Sequence, residues 1–150
     1  MGIAVAIAHL GDAEGIQGLR RLCASRNSHV RVNAAELALS LGDEGCFEDV
    51  VSVIREEEPA TQDYAVRVLA KFSRARTSDR QVAVELLAQF LRKGPALYAA
   101  ADAVLQIRAC EAILPLEAAT QRERVPILQT WLKQRLQGLR SYCGEATSSR

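Results

Sequence analysis

Two histidines, four cysteines and a run of three carboxylates are the side chains here with the chemistry for a reaction centre. His9 and His29 have no nucleophile or carboxylate at a catalytic spacing, and a general base needs both a proton to take and a group to orient it. The chain carries no glycine-rich phosphate loop, no H-E-x-x-H and no G-x-S-x-G. Glu56-Glu57-Glu58 sits near an expected helix end. An acid/base pair needs carboxylates in different environments, so three in a row read as solvated. Cys23, Cys46, Cys110 and Cys143 stand far apart without a C-x-x-C pair, which argues against zinc and redox motifs. Three of them fall in apolar-periodic segments, where a free cysteine acts as a small hydrophobe. Buried free thiols are expected, with no catalytic residue, no metal, no cofactor and no enzymatic activity.

The elements that carry these residues must be helices. The 150 residues suit one domain, and 49% hydrophobic with 25% charged residues excludes a disordered chain. Aromatic residues make up 5%, and glycine and proline are scarce at 9 and 4. A β-sandwich is starved by that composition, whereas Ala, Leu and Val suit packed helices. No apolar run reaches the length of a membrane span. The apolar opening, residues 2–8, has no basic residue before it and no convincing cleavage site after it. A leaderless, cytoplasmic (intracellular) chain is expected.

The chain repeats. Leu10-Gly11-Asp12 recurs as Leu41-Gly42-Asp43, an offset of 31 residues. With that offset Ala34, Leu37, Ala38 and Leu41 fall on Ala65, Val68, Leu69 and Phe72; a further 35 residues give Ala100, Ala103, Val104 and Ile107. Each copy predicts two helices: first helices near 13–24, 44–57 and 78–93, second helices near 28–41, 60–74 and 95–108. Asp12 and Asp43 stand where an N-cap belongs, and Gly11 and Gly42 where a left-handed residue ends the preceding helix. Short connections force antiparallel neighbours. A short helix near Cys110, Ile113 and Leu114 is expected to stop or kink at Pro115. A longer one starts near Arg124 with Leu128, Leu132, Leu136 and Leu139 at helical spacing. The core is expected to include Leu37, Val68 and Val104, and to leave out Glu36, Arg67 and Asp102.

Two stretches carry a family resemblance: Leu10-Gly11-Asp12-Ala13-Glu14-Gly15-Ile16, and His29-Val30-Arg31-Val32-Asn33-Ala34-Ala35-Glu36-Leu37-Ala38. They resemble the short HEAT-like repeats of the phycobilin-lyase type, good over about 8–45, fair over 46–74 and only periodic over 78–140. Thr61-Gln62 departs from the family's Val-Arg, and the third copy lacks the Gly-Asp opening. The resemblance implies an all-α, right-handed α-solenoid of about three to four stacked antiparallel helix pairs, a HEAT-like/armadillo-type superhelix. Its expected domain is residues 1–143, with a half-repeat at 2–10, repeats at about 11–42, 43–75 and 76–108, and a capping pair at about 109–142. Residues 144–150 are expected to be a flexible tail.

Charge runs in blocks, +4 over residues 20–31, −7 over 43–63, +5 over 64–93 and +4 over 121–150, within a whole-chain net charge of +1. Sixteen of the nineteen cations are arginine, which favours planar, bidentate contacts. An acidic repeat interrupts any basic stripe, so the pattern speaks against nucleic acid. A stacked solenoid exposes a long curved surface that grips extended partners. The expectation is a non-enzymatic scaffold or adaptor that binds a protein or peptide on a concave face lined by the second helices. Its contact residues would be Asn33, Glu36, Ser40, Tyr64, Arg67, Lys71, Asp102 and Gln106, with Glu36, Arg67 and Asp102 forming a rung of alternating charge. The alternatives are a nucleic-acid-binding HEAT-like protein and a HEAT-like subunit of a lyase-type enzyme. The apolar residues 3–7 suggest self-association through the N-terminal helix, or a place in a longer chain.

Overall fold

The computed structural model describes residues 13–56, 59–75 and 79–148. The expected half-repeat at 2–10, Gly11, Asp12, His9, Glu57, Glu58 and the apolar residues 3–7 lie outside the described residues. The described residues form eight α-helices and one short 3-10 turn, with no strand among them. The chain divides into two compact units, residues 1–75 and 76–150.

Unit 1 contains α1 (Ala13–Cys23), α2 (Ser28–Ser40), α3 (Phe47–Arg55) and α4 (Pro59–Ala75). α1 packs on α2 and α3 on α4, while α2 also touches both α3 and α4. Asn27 starts α2 by accepting a hydrogen bond from the Val30 N–H at 3.1 Å, which satisfies one of the free amides of the first turn. Burial follows the predicted alanine column: Ala34 and Ala65 are fully buried, as are Val68, Leu69 and Phe72. Small residues there let helices approach closely, and the larger ones fill the space between them. Leu37 departs from expectation, since it is only half-buried. α2 turns Val32, Ala34, Ala35 and Ala38 inward instead, and residue 37 lies at the rim of that face.

Unit 2 contains α5 (Arg80–Arg92), α6 (Leu97–Gln106), a 3-10 turn (Cys110–Ala112), α7 (Ile113–Arg122) and α8 (Pro126–Ser148). The pairing scheme repeats: α5 on α6, α7 on α8, with α5 touching α7 and α6 touching α8. Ala100 and Val104 are fully buried, and so are Leu132 and Leu139 from the leucine stripe. Pro115 does not stop a helix as expected. It sits in the first turn of α7, where a missing N–H breaks no bond. α8 continues to Ser148, past the point at which a flexible tail was expected to begin.

Both units end a second helix with the same turn. After α2, the Asp43 N–H donates to the Ala38 carbonyl at 2.9 Å and the Gly42 N–H to Leu39 at 3.0 Å, with Gly42 at φ 82°. After α6, the Ala109 N–H donates to Val104 at 2.9 Å and the Arg108 N–H to Leu105 at 3.1 Å, with Arg108 at φ 56°. This is the Schellman arrangement, in which a left-handed residue lets the chain satisfy the last free carbonyls. Gly42→Ala is expected to cost about 1 kcal/mol, because a Cβ disfavours that backbone region. An unchanged urea midpoint would contradict this reading of the turn.

Asp43 is not the N-cap that its position suggested. Helix α3 begins at Phe47, behind Cys46, and the Asp43 carboxylate does other work. It takes a bidentate grip from Arg20, at 2.8 Å from Nε and 2.7 Å from Nη2, and accepts the Gly45 N–H at 3.1 Å. Gly45 is constrained by this contact, for a Cβ there would stand 3.1 Å from Arg20 Nε and 3.2 Å from Asp43 Oδ1. The Arg20 guanidinium holds the Asp43 carboxyl below its ordinary value. A lowered folded-state pKa stabilises the fold above the unfolded value of about 4 and is lost as pH falls through that range. Arg20→Gln is therefore expected to flatten the loss of stability between pH 5 and pH 3, by urea unfolding. Equal slopes in variant and parent would refute the assignment.

The cysteines are not free thiols. Cys23 pairs with Cys46 and Cys110 with Cys143, at sequence separations of 23 and 33. One bridge lies in each unit. Helix pairing brings together residues whose distance along the chain advertises no partner. Cys110 is also exposed rather than buried.

Candidate functional site

The second helix of each pair carries the polar and aromatic side chains expected at the site. In unit 1 these are α2 and α4. Glu36 is the hub: its carboxylate accepts hydrogen bonds from the Tyr64 hydroxyl and from the Lys71 ammonium. Tyr64 and Lys71 are seven residues apart on α4, two turns along one face. The Tyr64 oxygen also lies 3.0 Å from Asn33 Oδ1, while Asn33 Nδ2 donates to the His29 carbonyl at 2.9 Å. The exposed His29 ring stands 6.0 Å from the Tyr64 ring.

Electrostatics makes this a fixed surface and not an acid/base pair. Burial works to raise the Glu36 pKa, but the bonds from Lys71 and Tyr64 outweigh it and hold the carboxyl below its ordinary value. Burial and then the Glu36 carboxylate push the Tyr64 phenol well up. Near neutral pH one stays ionised and the other protonated, so no proton moves between them. The Lys71 side chain is 53% exposed, and the ion pair adds only about 0–1 kcal/mol.

Of the expected contact residues, unit 1 brings Asn33, Glu36, Tyr64 and Lys71 together. The charge rung does not form as expected, since Lys71 and not Arg67 pairs with Glu36. Arg67 is exposed on the next turn of α4. Ser40 is exposed and bonds its own helix, at 2.7 Å from the Leu37 carbonyl.

Unit 2 builds its cluster from α6 and α8. Arg135 Nε donates to Asp102 Oδ1 at 2.8 Å, and its guanidinium lies 4.2 Å from the Trp131 ring centre. Trp131 meets Tyr98 edge to face at 5.7 Å. The Tyr98 hydroxyl donates to Glu123 at 2.6 Å, and this bond, ahead of burial, pushes its pKa up to about 12. Gln106 is exposed at the end of α6, one turn beyond Asp102. Sequence reasoning missed Tyr98, Glu123, Trp131 and Arg135. A signal was present: Tyr98 to Trp131 and Asp102 to Arg135 are both offsets of 33, close to the 31 that links Asn33 to Tyr64. The repeat register had not been carried into α8.

An open groove of about 460 Å³ also lies beside Arg80, Gln81, Val84, Glu85 and Glu111. Its charges are already engaged. Arg80 donates to the Ile107 and Arg108 carbonyls at 2.5 and 3.1 Å and pairs with Glu111 at 3.7 Å, and Gln81 donates to Glu85. No described helix is long and apolar enough to cross a membrane.

Neither a protein-family model, nor a curated protein, nor a solved structure matches this chain.

Proposed function

We propose that this chain is a non-enzymatic HEAT-like α-solenoid scaffold that binds a protein or peptide partner across its second helices. The observation that carries the reading is a half-buried aromatic ring in each unit whose charged neighbour joins two second helices. Tyr64 of α4 is held by Glu36 of α2, and Trp131 of α8 lies against Arg135 of its own helix, which Asp102 of α6 holds in turn. Tyrosine, tryptophan and arginine are the side chains that most often anchor interfaces. Rings held in one orientation lose little entropy when a partner arrives. The exposed Ser40, Arg67 and Lys71 would then supply a polar rim in unit 1, and Gln106 a polar edge in unit 2.

The two disulfides bear on the compartment, because such bonds persist chiefly where conditions oxidise.

Arg67→Glu should leave the melting curve within about 0.5 kcal/mol of the parent, as exposed substitutions do, while weakening partner capture. Trp131→Ala should weaken capture through the second unit. Capture undiminished in both folded variants would overturn the reading.

A further inference from the structure

The spacing of Cys23, Cys46 and Asp49 along the chain hides a convergence that the fold creates. The two sulfurs and a carboxylate oxygen of Asp49 lie within 4.8 Å of one another. Cys46 immediately precedes α3, and Asp49 follows three residues later on the same side of the first turn. Cys23 closes α1. We infer that, when the Cys23–Cys46 bond is reduced, these three side chains form a binding site for a borderline-soft divalent cation of the zinc type.

The geometry suits it. Tetrahedral zinc with bonds of about 2.3 Å to sulfur places two thiolates about 3.8 Å apart, and the two Cα atoms already stand 5.9 Å apart. Two thiolates and one carboxylate are ligand types that zinc accepts, and water fills a fourth position. The ligands carry three negative charges, of which the cation neutralises two. Arg31, which pairs with Glu56 through Nη2, also acts on Asp49 as a nearby positive charge. Arg31 Nε is buried with no acceptor in the structure, a donor suited to the second oxygen of a ligating carboxylate. The N-terminus of α3 favours the thiolate of Cys46 over its thiol.

The steps balance. A phosphine reductant and one water convert the disulfide to two thiols and a phosphine oxide; two thiols of a cellular reductant do the same and leave as their own disulfide. Zinc then displaces the two thiol protons as it binds. The pair is thus cross-linked where conditions oxidise and metal-binding where they reduce.

The test uses the full chain carrying Cys110→Ser and Cys143→Ser, so that no other thiol contributes. It is reduced with a phosphine and titrated with Zn²⁺ against a chromophoric chelator, then with Co²⁺. The expected result is one ion per chain, a thiolate-to-cobalt charge-transfer band and the visible bands of tetrahedral cobalt. Asp49→Asn in the same background should weaken binding tenfold or more without altering the melting of the oxidised chain. If reduction unfolds unit 1, Zn²⁺ should restore the helical circular dichroism, because binding and folding are then one equilibrium. Absence of stoichiometric uptake, uptake indifferent to Asp49→Asn, or an unfolded reduced chain that Zn²⁺ does not rescue would each overturn the inference.

Discussion

Phe72→Ala is expected to destabilise the protein by about 3–5 kcal/mol. The ring is fully buried on α4 and meets Phe47 of α3 edge to face, with centroids 5.9 Å apart. Truncation removes apolar area and leaves a void between two helices that cannot close fully around it. It also strands the Phe47 ring, itself 4% exposed, without its aromatic neighbour. In comparison, Leu37→Ala should cost clearly less, because that side chain is already half in water. Urea unfolding followed at 222 nm compares the two. A Phe72 variant no more sensitive than the Leu37 variant would mean that the α3–α4 contact is not the core of unit 1.

Removing the Cys110–Cys143 bridge is the second large effect. The bond joins the 3-10 turn to the far part of α8 across 33 residues, and a loop of that size is worth about 3–4 kcal/mol in restricted unfolded chain. Cys110→Ala with Cys143→Ala should lower stability by that amount. The same change should speed amide exchange in the last turns of α8 ahead of the rest of unit 2, since fraying there has lost its anchor. Arg108 stacking on Tyr142, at 4.4 Å, remains as the weaker tether. Exchange that accelerates uniformly across unit 2, or a melting point unaltered by reduction, would show that the bridge does not hold this end.

Helical class and most of the buried columns were legible in the sequence because they depend on local periodicity. The recurring Leu-Gly-Asp marked the turn after α2, and the alanines at 34, 65 and 100 marked close helix contacts. Glycine at residue 42 announced a left-handed backbone for the same reason, since the requirement is local. The partners of charged and sulfur-bearing side chains were not legible, because they are set by how helices stack. Asp43 looks like a cap until Arg20, 23 residues away, arrives beside it. Glu36 could have met Arg67 or Lys71, which are one turn apart on α4, and the rotation of that helix selects Lys71. Cysteines separated by 23 and 33 residues become neighbours only after helix pairs have formed. Periodic burial is written into each helix by its own residues, whereas long-range pairing depends on the packing angle and register between helices, which no single helix encodes.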